Sequence, residues 1–318
     1  MSSCFCICPF ANSGSGKYVL WEITGECNMS CDHCLRGNSH NRSYTGDIIE
    51  AIEFFKRSEI SGVLLTGGEP LLYPRLAHVV GSISKSGFEV GIYTNSTVVT
   101  EDIVKMLKKS GITYVILSIN GGRKDTHDSI RGIGNFEKVC FAAKLFRNYE
   151  IDVDMTLTIN SNNTAEIDDA ISLAKMLKVD TLTITPILPI GNAKNINNDI
   201  VFNLEKLQII AQNIEESTYN DRLLEVERVR LPLPGEIRRD NITCCMDSLI
   251  YINSRGNVGT CPWSGSIGRG MISDPNLSLK EKYYHAKRQA DMVPKDKGCP
   301  LVSYLYYGNY DSLDPLLT

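Results

Sequence analysis

Three cysteines stand within eight positions at "CNMSCDHC", residues 27–34, directly after the apolar run "YVLWEIT". The spacing Cys27-x3-Cys31-x2-Cys34 sets three soft ligands on one loop. Three thiolates can hold three irons of a [4Fe–4S] cube, for which the usual full set is four. A missing protein ligand leaves one iron open to an outside ligand, as the vacant position of a catalytic metal does. A zinc loop, or a cluster completed by a distant fourth cysteine, would use the same residues. The spacing alone leaves these readings open.

A second chemical signature, "GGEP" (Gly67, Gly68, Glu69 and Pro70), follows the run "GVLLTG". Glycines let backbone approach a ligand closely, and a glutamate can accept hydrogen bonds from an ammonium group. "TNS" with Asn95, "SIN" with Ser118 and Asn120, "INSNN" and "LPIGNAK" follow later apolar runs in the same manner.

The elements that must carry these loops alternate in type. Strand-like runs are "KYVLWEI", "GVLLTG", "FEVGIYTN", "YVILSIN", "VDMTLTI" and "TLTITPI". They read as short, almost continuously apolar, β-branched runs, the pattern of parallel strands buried on both faces. Between them lie helical patterns such as "DIIEAIEFFKRS", "RLAHVVGSISKSG", "TEDIVKMLKKSG" and "AEIDDAISLAKMLK", several ending in glycine. Six βα units predict an α/β fold, a partial (β/α)6 TIM-like barrel, with binding residues in the loops after the strands' carboxyl ends. The expected division is a Cys-containing extension at 1–16, the barrel at 17–195, a connecting helical segment at 196–240, and a smaller domain with a β-hairpin at 241–318.

The 318-residue chain is 42% hydrophobic and 22% charged with a net charge of −4, enough for a sizeable core and with no basic stripe for nucleic acid. No apolar run is long enough to span a membrane, and the N-terminus lacks the basic start of a signal peptide. A cytoplasmic location is the expectation. There, the eleven cysteines point to metal or redox chemistry rather than a disulfide scaffold. Cys140, in "NFEKVCFAAKLF", reads as an ordinary buried thiol.

C-x3-C-x2-C after the first strand and GGEP after the second together resemble the radical S-adenosylmethionine (SAM) enzymes, over residues 17–190. The resemblance implies a [4Fe–4S] cluster on Cys27, Cys31 and Cys34, with SAM chelating the open iron. It implies reductive cleavage of SAM to a 5′-deoxyadenosyl radical that takes hydrogen from a substrate. His33 fills a place that is often aromatic in the family, and Gly67, Gly68, Glu69 and Pro70 would line the SAM amino group. Asn95, Ser118 and Asn120 match places that meet the ribose or carboxylate; for Asn95 and Ser118 simple strand-end capping is the alternative. Arg131 in "HDSIRGIGNF" resembles an arginine that approaches the SAM carboxylate, against an ion pair with Asp125 or Asp128. Leu188 falls where backbone cradles adenine.

Cys245-x10-Gly256-x4-Cys261 resembles the opening of SPASM and twitch extensions, which carry an auxiliary iron–sulfur cluster. "YINSRGNVGTC" fits a β-hairpin with "NSRGN" as its turn. Cys299 is a later ligand by this resemblance, and Cys244 or Cys245 is either a ligand or a spare thiol that donates hydrogen to a substrate radical. Cys4, Cys6 and Cys8 either supply a missing ligand or are incidental thiols of the terminus.

The leading expectation is modification of a ribosomally made peptide or protein: thioether formation, crosslinking, epimerisation or oxidation. A reducing partner such as flavodoxin or ferredoxin, and a separate leader-peptide-binding protein, belong to that expectation. A small-molecule dehydrogenase is the alternative, and a non-catalytic iron–sulfur electron-transfer protein the third reading. Candidate acid–base groups are His127, Asp128, Asp247, Tyr304, Tyr306 and Tyr307, and no spacing singles one out.

Overall fold

All six predicted strands form. The computed structural model describes residues 16–37, 43–187, 189–196, 228–230, 249–262 and 271–291. The strands are β1 (Lys17–Thr24), β2 (Ile60–Gly67), β3 (Glu89–Thr94), β4 (Tyr114–Ile119), β5 (Asp152–Ile159) and β6 (Thr181–Pro186). The helices between them are α1 (Ile48–Arg57), α2 (Leu76–Lys85), α3 (Glu101–Ser110), α4 (Lys124–Arg131), α5 (Asn135–Asn148) and α6 (Ile167–Leu177). Further on come β7 (Arg228–Arg230), β8 (Leu249–Ile252), β9 (Val258–Gly259), β10 (Met271–Ile272) and α7 (Leu279–Asp291).

Local chemistry sets the helix ends. Asp47 accepts the Ile49 N–H at 2.7 Å, and Thr100 accepts the Ile103 N–H at 3.3 Å, the side-chain N-caps that satisfy otherwise orphaned donors. Helix α3 stops at Gly111, which takes a left-handed φ of 93°.

Two compact units divide the chain, one of residues 1–27, 40–90 and 233–318 and the other of 28–39 and 91–232. In the first, the strand order is β10-β9-β8-β1-β2. Strand β8 runs parallel to β1, pairing Tyr18 with Leu249 and Leu20 with Tyr251. Trp21 on β1 is fully buried and meets Tyr44 and Phe55 edge-on, at centroid distances of 4.9 and 5.5 Å. Phe55 belongs to the apolar stripe Ile48, Ala51, Ile52, Phe55 of α1, whose i, i+3, i+4, i+7 spacing turns one helix face onto the strands.

In the second unit, β3-β4-β5-β6-β7 pair in order and in parallel. Strand β6 is buried along its whole length on both faces, as expected. Along β4 and β5, Ser118, Asp154 and Thr158 are half-buried between buried neighbours. These three lie on one face, because side chains along a strand alternate with a period of two. Cys140, on α5, is also only partly buried.

Candidate cofactor site

In the first unit, the base of the cysteine loop is pinched shut. Thr24 and Ser43 form an isolated bridge, their hydroxyl oxygens are 3.0 Å apart, and the Tyr44 N–H donates to the Ile23 carbonyl at 2.9 Å. The end of β2 lies directly on residues 24–26: Gly68 N–H donates to the Thr24 carbonyl at 2.8 Å and Glu69 N–H to the Glu26 carbonyl at 2.7 Å. A Cβ on Gly67 would stand 2.1 Å from the Thr24 oxygen, and one on Gly68 1.9 Å from the Glu26 oxygen. Gly67 also has a φ of 141°, which side chains avoid. Both glycines are therefore required by backbone packing against the segment that leads into Cys27. Glu69 is fully buried, and its Oε1 accepts the Leu71 N–H at 3.1 Å, capping the short 3-10 turn Pro70–Leu72. Cys27 is exposed.

In the second unit, the rest of the loop folds as two consecutive turns, Cys34 N–H to Cys31 carbonyl and Gly37 N–H to Cys34 carbonyl, each 3.1 Å. A clamp from beyond β6 holds them. Asn192 donates its backbone N–H to the Cys34 carbonyl at 2.9 Å and its side-chain amide to the Cys31 carbonyl at 3.0 Å. Gly191, φ 61°, sits so close that a Cβ would stand 2.3 Å from the carbonyl oxygens of Cys34 and Leu35. The loop is tied on another side as well: Asn95 donates to Asn28 Oδ1 at 3.0 Å, and Asn28 donates to Thr97 Oγ1 at 2.7 Å.

Asn120, buried at the end of β4, connects three candidate residues. Its Oδ1 accepts from Arg131 Nε at 2.6 Å, its side-chain amide meets His33 Nε2 at 3.4 Å, and its backbone N–H donates to His127 Nδ1 at 3.2 Å. Burial first, then the charges of Arg131 and His127, push the His33 ring down to about 3. Burial and Arg131 lower His127 to about 4, against an opposing pull from Asp128. Both rings are neutral at physiological pH, and His127 Nδ1 accordingly accepts the Asn120 N–H. Asp128 has a different task. It accepts from Gly134 N–H and Phe136 N–H, both at 2.8 Å. Burial raises its carboxyl, but these two donors and His127 outweigh that and leave it below the usual range.

Two residues that the sequence reading passed over hold this arrangement. Asn163, fully buried, donates to the carbonyls of Asn120 at 2.8 Å and Thr158 at 2.9 Å. Asn192 is the other. Both sit in "INSNN" and "LPIGNAK", segments recognisable as loops after strand ends, but only tertiary contact reveals what each asparagine binds. Ser118 lies on β4, half-buried.

The hairpin at the C-terminal end forms as expected. Strands β8 and β9 pair antiparallel, Tyr251 with Gly259 and Ile252 with Val258, around a turn in which Gly256 has a φ of 75°. Cys261 follows, buried. Cys4, Cys6, Cys8, Leu188, Cys244, Cys245, Asp247, Cys299, Tyr304, Tyr306 and Tyr307 lie outside the described residues. Among the described residues, no three Cys, His, Asp or Glu side chains gather tightly enough to hold a single metal ion. A cubane makes a different demand, since each thiolate binds its own iron. The Asn192 clamp on the backbone of Cys31 and Cys34 suits that demand. No helix among the described residues is long and apolar enough to cross a membrane.

Residues 21–174 match the Radical SAM superfamily. An AdoMet-dependent heme synthase of Methanosarcina barkeri is 30% identical over 187 residues, covering 57% of this chain and 53% of that protein. The chain thus spans about half the length of this relative. The antilisterial bacteriocin subtilosin biosynthesis protein AlbA of Bacillus subtilis is 26% identical over 316 residues, 92% of this chain and 68% of that protein. Among solved structures, Streptococcus suis SuiB bound to precursor peptide SuiA superposes with a TM-score of 0.76 at 13% identity, covering 94% of this chain and 75% of that one. This likeness carries the fold, and the fold is the one read from the six βα units. Both signatures, in their two loops, fall within residues 21–174, the stretch that matches the Radical SAM superfamily.

Proposed function

We propose that the protein is a radical SAM enzyme that modifies a ribosomally made peptide or a protein. The observation that carries this reading is the similarity to a bacteriocin biosynthesis protein over 92% of the chain, which takes in the C-terminal hairpin as well as the βα units. The fold shared with a protein captured on its precursor peptide supports it.

Cys27, Cys31 and Cys34 would hold the [4Fe–4S] cluster, and Gly67, Gly68, Glu69 and Pro70 would line the SAM amino group. When bound, the reduced cluster and SAM supply a carbon radical strong enough to remove hydrogen from an unactivated C–H bond. The chain's own residues provide positioning. Asn192 and Asn28 fix the cysteine loop, and the neutral His33 ring presents no second cation beside it. Arg131, oriented by Asn120, offers a guanidinium to the SAM carboxylate, a pairing stronger than a neutral hydrogen bond. Asn95 and Ser118 complete the polar rim, and Leu188 belongs with the adenine. Cys261, Cys299 and one of the adjacent pair Cys244 and Cys245 would be ligands of an auxiliary cluster, the other of the pair being the spare hydrogen donor. A flavodoxin or ferredoxin would supply electrons in a cytoplasmic setting, and a separate protein would bind a leader peptide.

A small-molecule substrate is the second reading, favoured by the resemblance to heme synthases. Mass spectrometry of candidate peptides and tetrapyrroles, each deuterated and incubated with reduced enzyme and SAM, separates the two. Deuterium should pass into 5′-deoxyadenosine from a peptide. Transfer only from a tetrapyrrole would overturn the peptide reading.

A further inference from the structure

Strands β4, β5 and β6 have two chemically different faces. Leu117, Met155 and Leu182 stand in one row and Ile119, Leu157 and Ile184 in the next. All are essentially buried, and α5 packs on β4 and β5 as α6 does on β6. The rows between them are polar. Ser118 pairs with Thr156 and Thr156 with Thr183, and Thr158 pairs with Thr185. A parallel βα sheet whose inner face serves only stability fills it with layers of bulky branched side chains. Here the positions carry hydroxyls instead.

One of those hydroxyls is out of balance. Thr156 is 7% exposed, and its Oγ1 is buried without a hydrogen-bond partner. An unsatisfied buried hydroxyl destabilises the folded chain, and a valine of the same shape would not incur that cost. The rows also begin at the candidate cofactor residues. Ser118 heads one. Asn120, which contacts His33 and Arg131, follows one residue beyond β4. A substrate laid along these rows starts from the cofactor residues and runs over β5 and β6.

We propose that Thr156, Thr158, Thr183 and Thr185 hold the reacting segment of the substrate by hydrogen bonds. They thereby select a peptide whose reacting residue bears a hydrogen-bonding side chain over one with an aliphatic or aromatic side chain. This rests on the peptide reading above. The selection follows from the asymmetry of buried polar sites: a substrate lacking the matching group leaves these hydroxyls dehydrated and unpaired, whereas an apolar wall discriminates weakly between polar and apolar isosteres.

The test uses anaerobically reconstituted full-length protein with SAM, dithionite and two pools of synthetic peptides. The pools differ only in a central residue drawn from Ser, Thr, Asn, Gln and Asp, or from Ala, Val, Leu and Phe. Peptide mass change and 5′-deoxyadenosine are read together, for the wild type, Thr156→Val and Thr156→Val/Thr183→Val. Denaturant unfolding is run on the same preparations. The wild type should prefer the polar pool by about tenfold or more, the scale of one to two hydrogen bonds. The double variant should lose most of that preference while unfolding at the same or higher denaturant. A preference unchanged in the double variant overturns the proposal and leaves the peptide reading intact. So does a Thr156→Val protein that unfolds markedly earlier, because its hydroxyl would then be bonded within the fold. If neither pool reacts in the wild type while a tetrapyrrole does, the peptide reading falls and the proposal with it.

Discussion

Asn192 grips Cys31 through its side-chain amide at 3.0 Å, and the same residue takes the Cys34 carbonyl with its backbone N–H. A loop that must present thiolates to a cluster is thereby held from outside, by a residue more than 150 positions away in sequence. Replacing Asn192 by Ala removes the side-chain bond and keeps the backbone one. The expected stability cost is about 1 kcal/mol, and iron should leave the reconstituted protein several-fold faster under a chelator. Iron and sulfide assays over time check this.

Gly68→Ala is expected to be far worse. The added methyl would meet the Glu26 carbonyl oxygen at 1.9 Å, and backbone on both sides must move. A loss of at least about 2 kcal/mol is expected, together with weakened SAM binding. Gly87→Ala is the control. That glycine also has a positive φ, 87°, but nothing lies within 4 Å of its added Cβ, so only the conformational cost of about 1 kcal/mol remains. Denaturant unfolding ranks the two.

His127 gives the fold a pH dependence of definite sign. Its folded value of about 4 lies below the ordinary 6.5 or so, so between these values the unfolded chain binds the extra proton. Its contribution is fully present above about pH 6.5 and is lost as pH falls towards 4. At pH 5 the loss is about 2 kcal/mol. His33, held lower still, adds a slope of the same sign over the same range, so His127→Gln should remove only about half of the difference that urea unfolding at pH 7 and pH 5 measures.

Glu22 and Tyr251 lock the C-terminal hairpin to the first strand. The Tyr251 hydroxyl donates to Glu22 Oε1 at 2.6 Å, and both are buried. Tyr251→Phe leaves a buried carboxylate short of one donor and should cost about 1.5–3 kcal/mol. Hydrogen exchange should speed up in residues 249–252 before it does elsewhere in the same unit.

Much of this was legible in the sequence because the period of the apolar residues was strong. Helix α1 shows its stripe and its Asp47 cap, α3 its Thr100 and Gly111, and all six strands lie where the β-branched runs lie. Helix α4 is not legible in the sequence, since "KDTHDSIR" buries only His127 and Asp128 and so has no apolar stripe to detect. The run "TLTIT" is buried on both faces, as its continuous β-branched character predicts; the alternation of hydroxyl and aliphatic side chains within it does not show which face receives a ligand. Strand β7, at three residues, carries no period at all. The cysteines and GGEP announced themselves by type and spacing. Asn163 and Asn192 did not, because an asparagine in a loop reads as a turn former until its long-range partner is known.

The central claim is that Cys27, Cys31 and Cys34 carry a cluster that acts on SAM. The direct measurement is 5′-deoxyadenosine formed from SAM by reduced, reconstituted protein, compared with the Cys27→Ala/Cys31→Ala/Cys34→Ala variant prepared identically. The wild type should form it well above the variant, and the variant should retain only the iron of an auxiliary cluster. Equal, background-level 5′-deoxyadenosine from both, with a full complement of iron in the wild type, would contradict the account.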